Sequence, residues 1–271
     1  MKLVNIPPYQ RAGVNYDPAL GHFAVRELIA NMREKGQLEG IEIDIDDGYK
    51  TDHSAETRDE EVGALITVGF IKRVKELSES GKYDAIVSSA GIDPGFFAAG
   101  MVSKIPISFS VHAAVHVASL LGNRTSLIFL NDAQALVNRH SIQLYGFNDK
   151  VVSIRPIHRS SPYVLRLLRE HKKENRAEVP EVRQVIDDMM QQCKKAILED
   201  RVDSLILVPP HLQCFEPELR KRLDECGYDE IQLILGLSAA IEMAVAMVHM
   251  KLMPAPRAYP SDFLQAKPEF R

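Results

Sequence analysis

The stretch KYDAIVSSAGIDPGFFAAGMVSKIPI, residues 82–107, decides the fold. A short, mostly apolar run at 84–88 ends in serines, and Asp-Pro-Gly at 93–95 opens an Ala-rich helical segment. A short and nearly continuous apolar run predicts a strand that is buried on both faces. An aspartate before proline predicts a carboxylate that caps its own helix rather than a catalytic base. The stretch therefore predicts a parallel strand followed by a covering helix.

The same alternation of short apolar runs and longer amphipathic segments extends along the whole chain. It is typical of an α/β fold with mostly parallel strands joined by helices. Asp132 is predicted to cap a helix start, and Gly81, Gly122, Gly146 and Gly227 are predicted to end helices in the left-handed conformation. The predicted strands are 3–6, 41–46, 84–88, 125–130, 151–154, 204–208 and 232–235. The acidic run at 42–47 predicts that the second of these strands lies at an exposed edge of its sheet, and 174–179 is predicted to be a loop.

Composition excludes several classes of function. The 271 residues are 45% hydrophobic and carry a net charge of -4, which argues against nucleic acid or an anionic membrane as the main partner. A small-molecule substrate is the expected partner. Neither a signal peptide nor a membrane-spanning segment is evident, which predicts a cytoplasmic location.

Cofactor motifs are also missing from the sequence. No strand is followed by GxGxxG or by a P-loop, so a nucleotide cofactor is not expected. Three cysteines without a CxxC pair suit neither a disulfide framework nor a thiolate zinc site. We therefore expect a protein without a cofactor.

Five segments in order resemble the hydantoin-racemase branch of the aspartate/glutamate/hydantoin racemase superfamily. The resemblance implies two similar open α/β lobes related by a pseudo-two-fold axis, with the active site between them. The expected lobes are 1–109 with 236–271, and 110–235. The segments are 82–107, 108–130, LYGFNDKVVSIRPI at 144–157, VDSLILVPPHL at 202–212 and LILGLSAAIEMAVAMV at 233–248.

The sequence departs from this family at the residues that carry the chemistry. Racemases of the family use two thiols on opposite sides of the cleft, and their positions correspond here to Ala90 and Pro209. Neither side chain can carry a proton. Cys214 lies a few residues beyond Pro209, but a free cysteine is more often a small buried residue than a catalyst. An unmodified two-thiol mechanism is not expected.

Nearby serine and histidine residues are the candidate catalytic groups. Ser88 and Ser89 lie at the end of the strand predicted at 84–88, next to Ala90. A hydroxyl and the free N–H groups of the turn there can bind a carboxylate or enolate oxygen. His211 follows the strand predicted at 204–208, and His112 lies near the start of the Ala-rich helix in the segment 108–130. Histidine titrates near neutrality and serves as general acid or base. We expect His211, His112 and Ser89 to be catalytic, against the alternative of packing and solvent contact.

The remaining candidates concern substrate, metal and subunit contacts. Turn residues at NIPPYQR replace the family's small polar residues and imply an altered pocket. Metal binding is only weakly indicated, because the HxxxH pair lacks a clear third ligand. The Met-rich last helix and Pro-rich tail favour a homo-oligomer. Expected substrate contacts are Tyr9, Gln10, Ser88, Ala90, Gly91 and Pro209, and weak metal candidates are His112, His116, His158 and His211.

The sequence leaves three functions open. The first is an isomerase that acts on a small carboxylate, amide or hydantoin-like substrate by histidine and serine chemistry. The second is a lyase, such as a decarboxylase, or a hydrolase on the same scaffold. The third is a binding protein that kept the two-lobed clamp and lost its chemistry, which the joint loss of both thiols suggests.

Overall fold

Two four-stranded parallel sheets organise residues 1–7, 22–48 and 60–259, the part of the chain that the computed structural model describes. The first sheet has the strand order β2-β1-β3-β4, and the second has the order β6-β5-β7-β8. Each central strand is buried on both faces, as the unbroken apolar runs predicted. The acidic strand β2 lies at an edge, where its charged face meets solvent, which is also as predicted.

Helices and strands alternate through the first half of the chain. Helix α2 presents Phe70, Val74 and Leu77 to one face of the first sheet, where they pack with Ile86 into a compact apolar cluster. In chain order, the elements are β1 (Lys2–Ile6), α1 (Phe23–Glu34), β2 (Glu42–Ile45), α2 (Glu60–Glu79), β3 (Ala85–Ser88), α3 (Phe96–Val102) and β4 (Ile107–Phe109).

The second half builds the second sheet and returns to the first. Helix α4 packs against β7 and β8 of the second sheet, whereas the last helix, α10, packs against β3 and β4 of the first. The elements are α4 (Ser110–Leu121), β5 (Thr125–Phe129), α5 (Asp132–Tyr145), β6 (Val151–Pro156), α6 (Ser161–Glu170), a 3₁₀ helix (Lys173–Glu178), α7 (Pro180–Leu198), β7 (Ser204–Leu207), α8 (Pro210–Gln213), α9 (Glu216–Glu225), β8 (Gln232–Leu235) and α10 (Gly236–His249).

Three short elements differ from the sequence prediction. Strand β4 was not predicted, because only three residues follow Pro106 before α4 begins. Helix α8 is a single turn that starts at Pro210, and the stretch expected to be a loop at 174–179 is mostly 3₁₀ helix. Such short elements carry too few residues for a periodic signal.

Two helix ends differ from the sequence prediction, one in the residue that caps the helix and one in its backbone conformation. The residue that caps α5 is Asn131 and not Asp132, since its side chain accepts a hydrogen bond from the Gln134 backbone N–H at 3.0 Å. Gly122 has an extended backbone with φ -164° and not the left-handed one. A Cβ there would overlap the carboxylate of Asp203, so glycine is required by the close approach. Gly81, Gly146 and Gly227 do adopt positive φ, as predicted.

No helix among the described residues combines the length and apolarity needed to span a bilayer.

Candidate active site

The ends of β3 and β7 meet between the two sheets. Ala90 and Gly91 follow β3, and a Cβ added at Gly91 would lie 3.7 Å from both Cα and Cγ of Pro209, which follows β7. Ala90 is 2% exposed and Pro209 is buried. The two positions at which the family resemblance expects thiols are thus buried, apolar and part of adjoining segments.

Polar side chains from the first sheet surround this junction. The amide nitrogen Nδ2 of Asn5, at the end of β1, donates to Ser89 Oγ at 3.1 Å. The hydroxyl of Ser110 donates to the backbone oxygen of Ser88 at 2.8 Å. Asn5 Oδ1 and Ser88 Oγ are buried and have no hydrogen-bond partner among the described residues. Buried polar atoms are normally paired, so these two are able to form hydrogen bonds with a bound molecule.

Helix α5 supplies a second polar group that the sequence analysis missed. Asn138 Nδ2 donates to the backbone oxygen of Gly91 at 2.7 Å and to that of Gln134 at 2.9 Å. Both acceptors are carbonyls, so the orientation of this amide is fixed. Asn138 Oδ1 and Gln134 Oε1 are buried without a partner in the described structure. Their spacing of four residues, one helical turn, was the available signal.

We call this set the strand-end site. It consists of Asn5, Ser88, Ser89, Gly91, Gln134, Asn138 and Pro209.

Asp93 does not cap its own helix, which corrects the sequence prediction. Its carboxylate accepts from the backbone N–H groups of Val111 at 3.1 Å and His112 at 2.8 Å, so it caps α4 instead. The hydroxyl of Tyr145, at the end of α5, donates to the same carboxylate at 2.9 Å. Burial raises the pKa of Asp93 to about 7, against the opposing effect of these three donors.

His112 and His116 lie side by side on α4, as their spacing predicted. Their ring centroids are 4.3 Å apart, and the His112 ring also contacts Phe96 and Tyr145. Burial, and secondarily the neighbouring His116, lowers the pKa of His112 to about 4. His112 is therefore neutral at physiological pH. Both rings line a partly open cavity of 290 Å³ between α3, β4, α4 and α10.

His211 follows Pro209 and Pro210 in the single turn α8. The residue is half-buried and its ring nitrogens are shielded from solvent. Gln213 of the same turn donates to the backbone oxygen of Val208 at 2.6 Å and accepts from the Leu237 N–H at 3.1 Å. Helix α8 is thereby fixed both to the end of β7 and to the start of α10.

The other sequence candidates are dispersed. His158 lies 3.1 Å from Asp132 at an exposed position. The part of the chain that the structure describes contains no group of three or more His, Cys, Asp or Glu side chains suited to a metal. Tyr9 and Gln10 fall outside the described residues.

The two buried cysteines are not thiolates near neutral pH. Cys214 is 4% exposed, with Sγ 3.7 Å from the backbone oxygen of Ala24, and burial holds its pKa well above the usual range. Burial likewise raises the pKa of Cys193 to about 12. Cys226 is exposed on the surface.

Comparisons with known proteins agree with this architecture. The hydantoin racemase of Pseudomonas sp. (strain NS671) is 26% identical over 183 residues, which span 67% of this chain and 65% of that racemase. Allantoin racemase from Pseudomonas fluorescens superposes with a TM-score of 0.74 over 96% of this chain and 97% of its own, at 18% identity. The allantoin racemase from Klebsiella pneumoniae gives a TM-score of 0.70 over 96% and 94%, at 21% identity.

The chain is thus similar in sequence to a hydantoin racemase, and it has the fold of the allantoin racemases. No protein-family model matches it. The aligned stretch covers slightly less than two thirds of the hydantoin racemase. The chain has an alanine and a proline where the resemblance predicts catalytic thiols, and the polar strand-end site surrounds that pair.

Proposed function

We propose that the protein is an isomerase of small neutral amides or hydantoin-like rings, and that it uses histidine and serine in place of thiols. The observation that carries the proposal is the set of buried, unpaired oxygens in the strand-end site. A substrate bound there would complete their hydrogen bonds, and its reacting carbon would lie beside the ends of β3 and β7.

The unpaired atoms favour one substrate class among those that the sequence left open. Asn5 Oδ1, Gln134 Oε1 and Asn138 Oδ1 are acceptors, and the amide of Asn138 is fixed in that orientation. An acceptor needs an N–H or O–H donor, which a carboxylate lacks and a cyclic amide or ureide supplies. A carboxylate against three carbonyl oxygens would be repelled. Neutral rings with N–H groups are therefore favoured over carboxylates that carry no donor group.

Proton transfer needs groups that can take up and release a proton. Ser89 adjoins the junction, and its hydroxyl receives the hydrogen bond from Asn5 that positions it. His211 extends from the end of β7. A racemase that works through two carriers needs a second one on the opposite face, and His112, which is neutral and able to accept a proton, is the group to test.

The experiment follows hydrogen exchange and optical rotation of an L-5-substituted hydantoin in D₂O. We expect wild-type enzyme to exchange the C5 hydrogen while the rotation decays. His211→Asn and Ser89→Ala should each lower the rate by about 100-fold or more, the usual contribution of a general acid or base. His140→Asn, on the exposed face of α5, is the matched control. Full activity in both His211→Asn and Ser89→Ala would overturn the mechanism.

Substrate methylation tests recognition separately from catalysis. Methylating both ring nitrogens removes the N–H donors, so binding measured by calorimetry should weaken by at least about tenfold. Equal binding of the methylated ring would contradict the acceptor argument.

The same assay separates the alternatives. Loss of activity in His112→Asn supports a mechanism with two proton carriers. Full activity of His112→Asn, together with loss of activity in His211→Asn, indicates an enzyme with a single base. A lyase would release carbon dioxide or another fragment. Binding without exchange or turnover would identify a catalytically silent binding protein.

A further inference from the structure

The cavity between α3, α4 and α10 is separate from the strand-end site. Its 290 Å³ are bordered by α3, β4, α4, α10 and the chain segment that follows α10, and the cavity is partly open to solvent. None of its lining residues belongs to the strand-end site. The walls are aromatic rings and thioethers, contributed mainly by Phe96, Phe109, Met243, Met247, Met253 and Tyr259.

Three polar side chains interrupt these apolar walls, and each has unused hydrogen-bonding capacity. Ser108 is 4% exposed, and its hydroxyl makes no hydrogen bond with a described residue. His116 Nδ1 lies 2.8 Å from the backbone oxygen of His112. A carbonyl can only accept, so Nδ1 carries the proton and Nε2 is left as an acceptor. The His112 ring nitrogens also have no hydrogen-bond partner in the described part of the chain.

The charge of the cavity limits the ligand further. Burial keeps His112 neutral at physiological pH, and among the described residues no Lys, Arg, Asp or Glu lines the cavity. An ion would lose its hydration there without gaining a counter-charge. A neutral molecule fits, provided that it carries a donor for His116 Nε2.

Size and shape indicate a single substituted ring. An apolar cavity of about 150 Å³ is known to hold benzene, so 290 Å³ accommodates a substituted benzene ring. Flat walls of Phe96, Phe109 and Tyr259 suit an aromatic face, and the methionines adapt to its edge.

We propose that this cavity is a second ligand site, which binds a small neutral phenol-type molecule. The ring lies among the aromatic and methionine side chains. The hydroxyl donates to His116 Nε2 and receives hydrogen bonds from Ser108 or His112. This site lies outside the strand-end site but shares His112 with the proposed proton transfer, so its test measures binding without turnover.

Binding of 4-fluorophenol to the full chain, followed by ¹⁹F NMR, tests the proposal, with fluorobenzene as the probe that lacks the hydroxyl. We expect 4-fluorophenol to bind at least about fivefold more tightly than fluorobenzene, the value of one net hydrogen bond. His116→Phe keeps an aromatic ring against Phe147 but removes the hydrogen-bond acceptor. It should therefore weaken the binding of 4-fluorophenol by a similar factor. His140→Phe is the matched surface control and should bind like wild type.

Ser108→Ala gives an independent readout with a minimal change of volume, and near-UV circular dichroism checks that each variant is folded. We expect weaker binding of 4-fluorophenol and unchanged binding of fluorobenzene.

Three results would overturn the proposal. They are no binding of 4-fluorophenol to wild type at millimolar concentration, equal binding by wild type, His116→Phe and Ser108→Ala, and displacement of 4-fluorophenol by a hydantoin. The last result would make the cavity part of the substrate site. Because binding is measured without turnover, failure of the isomerase assay leaves this test intact.

Discussion

Asp93 has a backbone φ of +41°, a conformation that side chains other than glycine adopt rarely. This strained conformation places the carboxylate where it accepts hydrogen bonds both from the start of α4 and from the hydroxyl of Tyr145. These contacts join the loop after β3 to α5, which packs on the other sheet. One buried residue therefore connects the two halves of the molecule.

Asp93 should make stability depend on pH in a specific direction. Its pKa is about 7 when folded, against an ordinary value near 3.8, so folding favours the protonated form. Between about pH 4 and pH 7 the unfolded chain releases this proton and the folded chain keeps it, so stability falls as pH rises, by up to about 4 kcal/mol. Urea unfolding of wild type and Asp93→Asn at several pH values measures this. Identical pH slopes would contradict the assignment.

At the scale of elements, Arg176 holds the 3₁₀ helix against α1. Its guanidinium donates to both carboxylate oxygens of Glu27 at 2.7 Å, and the residue is only 1% exposed. Further donation reaches the backbone oxygen of Leu168, and the Phe215 ring lies 6.0 Å away. The ion pair thus fixes three separate parts of the chain in a region that the sequence analysis had taken for a loop.

Breaking this pair from one side should be costly. Arg176→Met leaves the Glu27 carboxylate buried without its partner, so we expect a loss of about 3–5 kcal/mol in the free energy of unfolding. The double variant Arg176→Met, Glu27→Leu should recover much of that loss. Lys221→Met, which breaks an exposed pair with Glu225, is the control and should cost less than about 1 kcal/mol. Equal effects of Arg176→Met and the control would refute the argument.

The sequence predicts elements well where the signal is local. Strands β1, β3, β5 and β7 are short and mostly apolar runs, which predicted their burial. Contacts between distant residues are different. Asp93 caps backbone groups 18 and 19 residues away, and Asn138 reaches Gly91 across 47 residues. A helix-start pattern cannot distinguish a local cap from a distant one, since both need the same carboxylate.

At the scale of the whole molecule, one apolar core extends through both sheets. It includes Val87 of the first sheet and Leu207 of the second. Helices α4 and α10 contribute Val115 and Ile241 to the same core. The lobe limits expected from the sequence stay a prediction. So does the homo-oligomer, for which the exposed Met250, Leu252 and Met253 remain the motivating feature.

A shared core predicts that the sheets unfold together. Hydrogen exchange of the slowest amides in β1 and β7 should report the same free energy of opening. Ile241→Ala, at a fully buried position of α10, should lower both by about 2–5 kcal/mol. Leu198→Ala, at an exposed position, should change neither by more than about 0.5 kcal/mol. A response confined to one sheet would show that the lobes unfold independently.

The two crossings between the sheets lie next to each other. A Cβ at Gly236 would be 3.4 Å from the backbone oxygens of Ser110 and Leu207, so the chain passes from one sheet to the other and back within a single narrow region. We therefore expect a relative movement of the two sheets to be a rotation about this region and not a sliding motion. A pair of spectroscopic labels on the outer edges of the sheets should then report a range of separations, whereas a pair beside Gly236 should keep a constant one.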